Sequence, residues 1–66
     1  MQILLNGEKT TINNNTSIGD LLQQFNLDPT KVAVELNQNL VFHHNFNHTI
    51  IAQNDIIEIV HFIGGG

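Results

Sequence analysis

The sequence predicts an α+β domain, a mixed sheet of four to five strands with one main helix packed on one face and a flexible C-terminal tail. Three observations carry this expectation. Asn6-Gly7 separates two strand-like runs, Ser17 precedes apolar residues at helical spacing, and the β-branched run Ile56 to Phe62 leads into Gly64-Gly65-Gly66. The expected division is a folded body over residues 1–63 and a glycine tail over 64–66.

Gln2 to Leu5 and Glu8 to Ile12 read as a hairpin, because Asn-Gly supplies the positive φ angles that a type I′ turn demands. Asn13 to Thr16 is loop. Ser17 is then the expected N-cap of a short helix, with Ile18, Leu21, Leu22 and Phe25 at i, i+3, i+4 and i+7 defining its apolar face. Asp20 in the first turn suits the helix dipole, and the end is expected at Phe25 or Asn26, ahead of Pro29. Such a helix is too short to stand alone in water and must lie on a sheet.

Lys31 to Leu36 alternates Val32, Val34 and Leu36 with Ala33 and Glu35, the period of a half-buried strand. Asn37-Gln38-Asn39 is turn chemistry and Leu40 to Phe42 a short strand. His43 to Thr49 reads as an irregular or short helical connection anchored by Phe46. Ile56 to Phe62 is apolar on both faces for much of its length, as expected of a central strand. If Ile3, Leu5, Ile57 and Ile59 face the helix, Leu4, Val60 and Phe62 fall on the other face. One short helix cannot cover both faces. Leu4, Val60, Phe62 and Ile63 therefore form a candidate docking surface beside the tail, weighed against scattered exposed apolar residues, which are common.

Composition narrows the function classes. A chain of 66 residues buries only about 60% of its unfolded surface, leaving little room for an enclosed active site. Without cysteine there is no disulfide, no thiolate nucleophile and no thiolate zinc site. Two lysines, no arginine and a net charge of −4 make nucleic acid a poor partner and favour a protein with a basic docking surface. No leader-like segment and no apolar stretch long enough for a membrane is evident, so the expected location is the cytoplasm, or the plastid stroma if the chain is organelle-encoded. The many asparagines read as a polar preference on an ordinary globular surface.

The glycine tail is the most pointed feature. Glycine has no Cβ and passes through slots closed to other residues, and three extended glycines reach about 10 Å. The functional expectation is that the Gly66 carboxylate is carried into a partner's cleft. A frayed terminus is the competing reading.

Four segments bear on identity: Met1 to Glu8, Ser17 to Leu22 with Leu27-Asp28-Pro29, Val32 to Asn37, and Glu58 to Gly66. In order and spacing the chain resembles the ThiS family of thiamine-biosynthesis sulfur carriers, which have the ubiquitin-like β-grasp fold. It departs from the common pattern where Val41-Phe42-His43 stands for Val-Pro-Arg, where Phe46 takes a tryptophan-like position, and where Asn54 replaces a glycine before Asp55. Asn visits the left-handed region more readily than most residues, so the last change is tolerable.

The resemblance implies a carrier rather than an enzyme. An adenylating, E1-like enzyme would use ATP and Mg²⁺ to convert the Gly66 carboxylate to an acyl-adenylate. Sulfur from a persulfide donor would displace AMP, and the resulting thiocarboxylate would serve thiazole synthase. Gly64 and Gly65 would enter the partner's active site, the chain itself would bind no cofactor, and the free protein would be a monomer. A carrier resembling the small subunit of molybdopterin synthase, and a ubiquitin-like protein modifier, share the activation step and remain open. His43, His44 and His48 are weighed as a metal cluster on the i, i+4 spacing of the last two, with solvated histidines as the favoured reading.

Overall fold

The computed structural model describes residues 1–62. β1 (Gln2–Leu5) and β2 (Glu8–Thr11) form an antiparallel hairpin with Leu5 opposite Glu8. Its turn residues both have positive φ, 49° at Asn6 and 83° at Gly7, as a type I′ turn requires. α1 spans Ile18–Gln24, and β3 (Val32–Leu36) follows a 3-10 turn over Pro29–Lys31. β4 (Asn39–Val41) leads into a 3-10 segment over His43–His48, and β5 covers Ile56–His61. The sheet order is β2-β1-β5-β3-β4, so the last strand is the central one. β5 runs parallel to β1 and antiparallel to β3, which makes the sheet mixed.

The helix start follows from a reciprocal cap. Ser17 Oγ accepts from the Asp20 N–H at 3.0 Å, and Asp20 Oδ2 accepts from the Ser17 N–H at 3.1 Å. Two otherwise orphaned donors are thereby satisfied at a position that is 4% exposed, where water could not serve them. At the other end Asn26 adopts φ 58°, its N–H donates to Gln23 O, and the Leu27 N–H donates to Leu22 O at 2.8 Å. This is a Schellman ending, and it changes the role expected of Phe25. Phe25 is the C-cap residue and 44% exposed, whereas the reversal of the chain at Asn26 turns Leu27 back onto the core.

Ile18, Leu21 and Leu22 are fully buried against Ile3, Val34 and Ile57 of the sheet. Burial of three such side chains contributes on the order of 6 kcal/mol, which offsets the weak intrinsic stability of a seven-residue helix. Phe46 anchors the 3-10 segment from the same core. Gly19 lets that segment approach α1, because a Cβ on it would collide with the Asn47 carboxamide. Backbone bonds from Ile18 N–H to Thr49 O and from Ile51 N–H to Thr16 O, both 2.9 Å, stitch the connection to the helix entry. Ile12 and Ile51 complete the core although each lies outside the strands.

Replacing Ser17 by Ala removes one half of the cap and leaves the Asp20 N–H without its partner. We expect a loss of about 1 kcal/mol of folding stability, measured as a shift of the denaturant midpoint at unchanged slope. A midpoint equal to that of the parent protein would show that the cap does not hold the helix start.

Candidate functional site

The candidate site is built outward from β5, because the chain reaches the glycines directly from it. Backbone pairing holds this strand on both sides: Leu4 N–H donates to Asp55 O, Asn6 N–H to Ile57 O, and Phe62 N–H to Lys31 O, at 2.8 to 2.9 Å. Where β1 turns away, the Asn6 side chain continues the ladder, its Oδ1 accepting from the Ile59 N–H at 2.8 Å. At the start of β5, Asn37 Oδ1 accepts from the Ile56 N–H at 2.9 Å, and Asn37 Nδ2 donates to Asp55 Oδ1 at 3.0 Å. Two asparagine side chains thus act as short extensions of the neighbouring strands.

These residues also explain the asparagine content. Five of the ten asparagines, at 6, 15, 26, 37 and 54, have positive φ, the region that Asn enters at lower cost than most residues. All ten asparagines are exposed, in keeping with a surface preference, and at these five the backbone gives the choice a further reason. Asn54, at φ 68°, occupies the conformation that its replacement of glycine requires.

Beyond the helix-covered side, the sheet presents an open face. Val60 is 62% and Phe62 58% exposed, and Val60 lies opposite Ala33 on β3. Leu40 and Phe42, at 56% and 60% exposure, border the same region. Ala33, Leu40, Phe42 and Phe62 line an apolar groove of about 440 Å³ that reaches down to Phe46. Leu4 belongs to this face but stands apart from Val60 and Phe62. It pairs with Ile56, four residues before Val60 and so about 13 Å away along the strand, with Glu58 between. Ile63, Gly64, Gly65 and Gly66, the rest of the expected docking surface and tail, lie outside the described residues. Leu40 and Phe42 were not expected here, since only the β3–β4 register brings them to this end of the sheet.

The histidines do not assemble as their spacing invites. The 3-10 winding of His43–His48 has about three residues per turn, so positions i and i+4 do not share a face. His44 stacks on Phe42 with ring centroids 6.1 Å apart, and His43 meets Phe46 edge-on at 5.5 Å. Among the described residues no group of three or more His, Asp or Glu is placed to hold a metal ion. Also among them, no helix is long and apolar enough to cross a membrane.

Asp28 caps the turn that feeds β3. Its Oδ1 accepts from the Thr30 hydroxyl at 2.7 Å and from the Thr30 N–H at 2.9 Å. Those two bonds, with the charges of Lys31 and His61 adding to them, hold the carboxyl below the usual carboxylate range.

A five-stranded mixed sheet with a hairpin at its start, one capped helix on one face and a central last strand defines a ubiquitin-like β-grasp domain. Sequence comparison narrows the class, for the ThiS family model matches residues 3–66. The chain belongs to the ThiS family. It is 36% identical over 63 residues to the sulfur carrier protein ThiS of Bacillus subtilis, covering 94% of this chain and 96% of that one. A thiazole synthase of Magnetococcus marinus is 41% identical over 66 residues, and the chain spans 20% of its length. The crystal structure of the thiamine biosynthesis protein ThiS from Geobacter metallireducens superposes with a TM-score of 0.86 at 28% identity, with complete coverage of both chains.

Two outcomes test this geometry. Asn37→Ala removes both the left-handed preference and the bond to Ile56, and is expected to cost about 1 to 2 kcal/mol in a denaturant titration. An unchanged midpoint would mean that the clasp on β5 is dispensable. Asp28 should contribute stability at neutral pH that disappears as pH falls below about 4 through its lowered native pKa. The stability gap between the parent and Asp28→Asn should therefore narrow on acidification; a gap independent of pH would refute the assignment.

Proposed function

We propose that this chain is a sulfur carrier for building the thiazole of thiamine, and that its working group is the carboxylate of Gly66. What supports this reading most is the family match running through residue 66, together with the near-complete mutual coverage with the Bacillus subtilis carrier. The match to part of a thiazole synthase supports that enzyme class as the acceptor over a molybdopterin synthase partner. The protein's location in this reading is the cytoplasm or a plastid stroma.

The chemistry follows from the unreactivity of a carboxylate, which is ionised at neutral pH and a poor acyl donor. One carboxylate oxygen attacks the α-phosphorus of ATP on the adenylating, E1-like enzyme, expelling pyrophosphate and forming an acyl-adenylate. Mg²⁺ on that enzyme balances the phosphate charge. A persulfide sulfur attacks the acyl carbon, and AMP leaves. A thiol then reduces the acyl disulfide, taking up the donor sulfur as a disulfide and freeing the thiocarboxylate. Thiazole synthase consumes that sulfur. Within this scheme the chain supplies shape: the clasped β5 fixes where the tail starts, and Gly64 and Gly65 fit a narrow cleft.

Deleting Gly66 is expected to leave the thermal midpoint unchanged and to abolish ATP–pyrophosphate exchange by the cognate adenylating enzyme. Intact-mass measurement of the parent, made beside that enzyme and a sulfur source, should show one oxygen replaced by sulfur. Exchange that persists in the deletion variant would overturn the role given to the tail.

A further inference from the structure

Asn6 is the one asparagine of the ten that glycine follows. After each of the other nine comes a residue whose Cβ crowds its own backbone nitrogen, and Gly7 has no Cβ. Asn6 and Gly7 are both exposed. Chain neighbours apart, no heavy atom among the described residues lies within 4 Å of where a Cβ on Gly7 would stand, so water reaches the turn. A carboxamide beside so unhindered a nitrogen can be attacked by it, closing a five-membered ring. Closure requires the Gly7 nitrogen to rotate to the side of the Asn6 Cβ, and the fold holds it elsewhere. The first residue of a type I′ turn has ψ of about 30°, the mirror of a type I turn, which sets Cβ and the following nitrogen on opposite sides. β5 then pins Asn6 twice, its N–H donating to Ile57 O at 2.9 Å and its Oδ1 accepting from the Ile59 N–H at 2.8 Å. The carboxamide cannot turn toward Gly7 without giving up the second bond.

We propose that Asn6 is a modification site gated by the fold: it cyclises and loses ammonia when the end of the β1–β2 hairpin opens away from β5, and the isoaspartate formed there can no longer clasp β5. Opening of this kind is local, since it breaks the two bonds to β5 and the Leu5–Glu8 end of the ladder while the core under α1 stays packed. Once the turn is open, the Gly7 amide gives its proton to hydroxide and its nitrogen bonds to Asn6 Cγ. The Cγ–Nδ2 bond breaks, and the departing nitrogen takes a proton from water and leaves as ammonia. Water then opens the cyclic imide at one of its two carbonyls. Opening at Cγ gives aspartate, which keeps the length of the main chain and still offers Oδ1 to the Ile59 N–H, now as a charged acceptor. Opening at the α-carbonyl gives isoaspartate. The main chain then gains a methylene, so a two-residue turn no longer spans Leu5 to Glu8 at the same register. The pendant carboxylate loses that methylene and falls short of Ile59. One product preserves the clasp and the other removes it, so the isoaspartyl product makes a reversible opening permanent.

The test ages the full chain at mildly alkaline pH, folded and in denaturant. Intact mass follows the replacement of NH by O, and peptide mapping with an isoaspartate-specific methyltransferase locates it. The Asn6 peptide is expected to be the first modified in denaturant, and to be modified at least about tenfold more slowly in the folded protein. Equal rates in the two states would overturn the gating, and modification led by another asparagine would overturn the site. The isoaspartyl form, made in denaturant and returned to buffer, is then compared with the parent and with Asn6→Asp. It is expected to exchange the Ile59 amide hydrogen at least about tenfold faster than the parent and to unfold at a lower denaturant midpoint, failure to refold counting as the extreme of that loss. Asn6→Asp should keep the Ile59 amide protected to within about twofold of the parent. An isoaspartyl form with parental protection and midpoint would overturn the proposed loss of the clasp. Asn6→Asp as unprotected at Ile59 as the isoaspartyl form would overturn it too, by tracing the effect to charge and not to the lengthened chain.

Discussion

The structure depends on how β5 is held. This strand is central, paired in parallel with β1 and antiparallel with β3, and Ile57 on it is fully buried under α1. A slip of one residue would carry Ile57 to the open face and Val60 beneath the helix, since side chains alternate strictly along a strand. Core packing therefore sets the register, and the register sets which side chains stand on each face at the end of β5. The strand's flanks end before it does, at Leu5 on one side and at the turn after Leu36 on the other. The exposed amides left there are closed by Asn6 and Asn37.

That solution explains a choice between two residue types. Glycine enters positive φ at lower cost than asparagine and would serve either turn on conformational grounds alone. It has no Oδ1. Asn6 and Asn37 accept a modest backbone penalty and return a hydrogen bond to β5 from 53 and 19 residues away. Asn26, which closes the helix, and Asn54, which opens the approach to β5, use the same backbone region. Half of the asparagines of this sequence thus serve the backbone at positions that glycine could also occupy.

Much of this was legible in the residues. The Asn6-Gly7 hairpin, the Ser17 cap, the alternation through Val34 and the centrality of the last strand all arise from short-range chemistry that a sequence displays directly. The pattern Ser-x-x-Asp also contains the reciprocal cap, although of Asp20 only the favourable charge in the first turn was anticipated. Phe25 misled because helical spacing says nothing about where the chain reverses, and the signal was instead the Asn26-Leu27 pair. The candidate surface was half legible. Parity alone places Leu4, Val60 and Phe62 on one face, but their separation and the arrival of Leu40 and Phe42 depend on pairings between residues far apart in the chain. The histidine spacing failed for a related reason, since i, i+4 implies a shared face only if the local winding is α-helical.

A carrier that is charged by one protein and unloaded by another has to bind each well and leave each quickly. In the proposed reading, a large apolar surface alone would favour persistent association, including with itself. Placing Glu35 and Glu58 within that surface changes the balance, because two exposed carboxylates cost little in water and much when covered without a cation. Glu35 and Glu58 also stand directly opposite one another across β3 and β5, a pairing unfavourable to folding. Its cost falls on a sheet whose stability is secured on the opposite side, where Ile3, Val34 and Ile57 pack beneath α1.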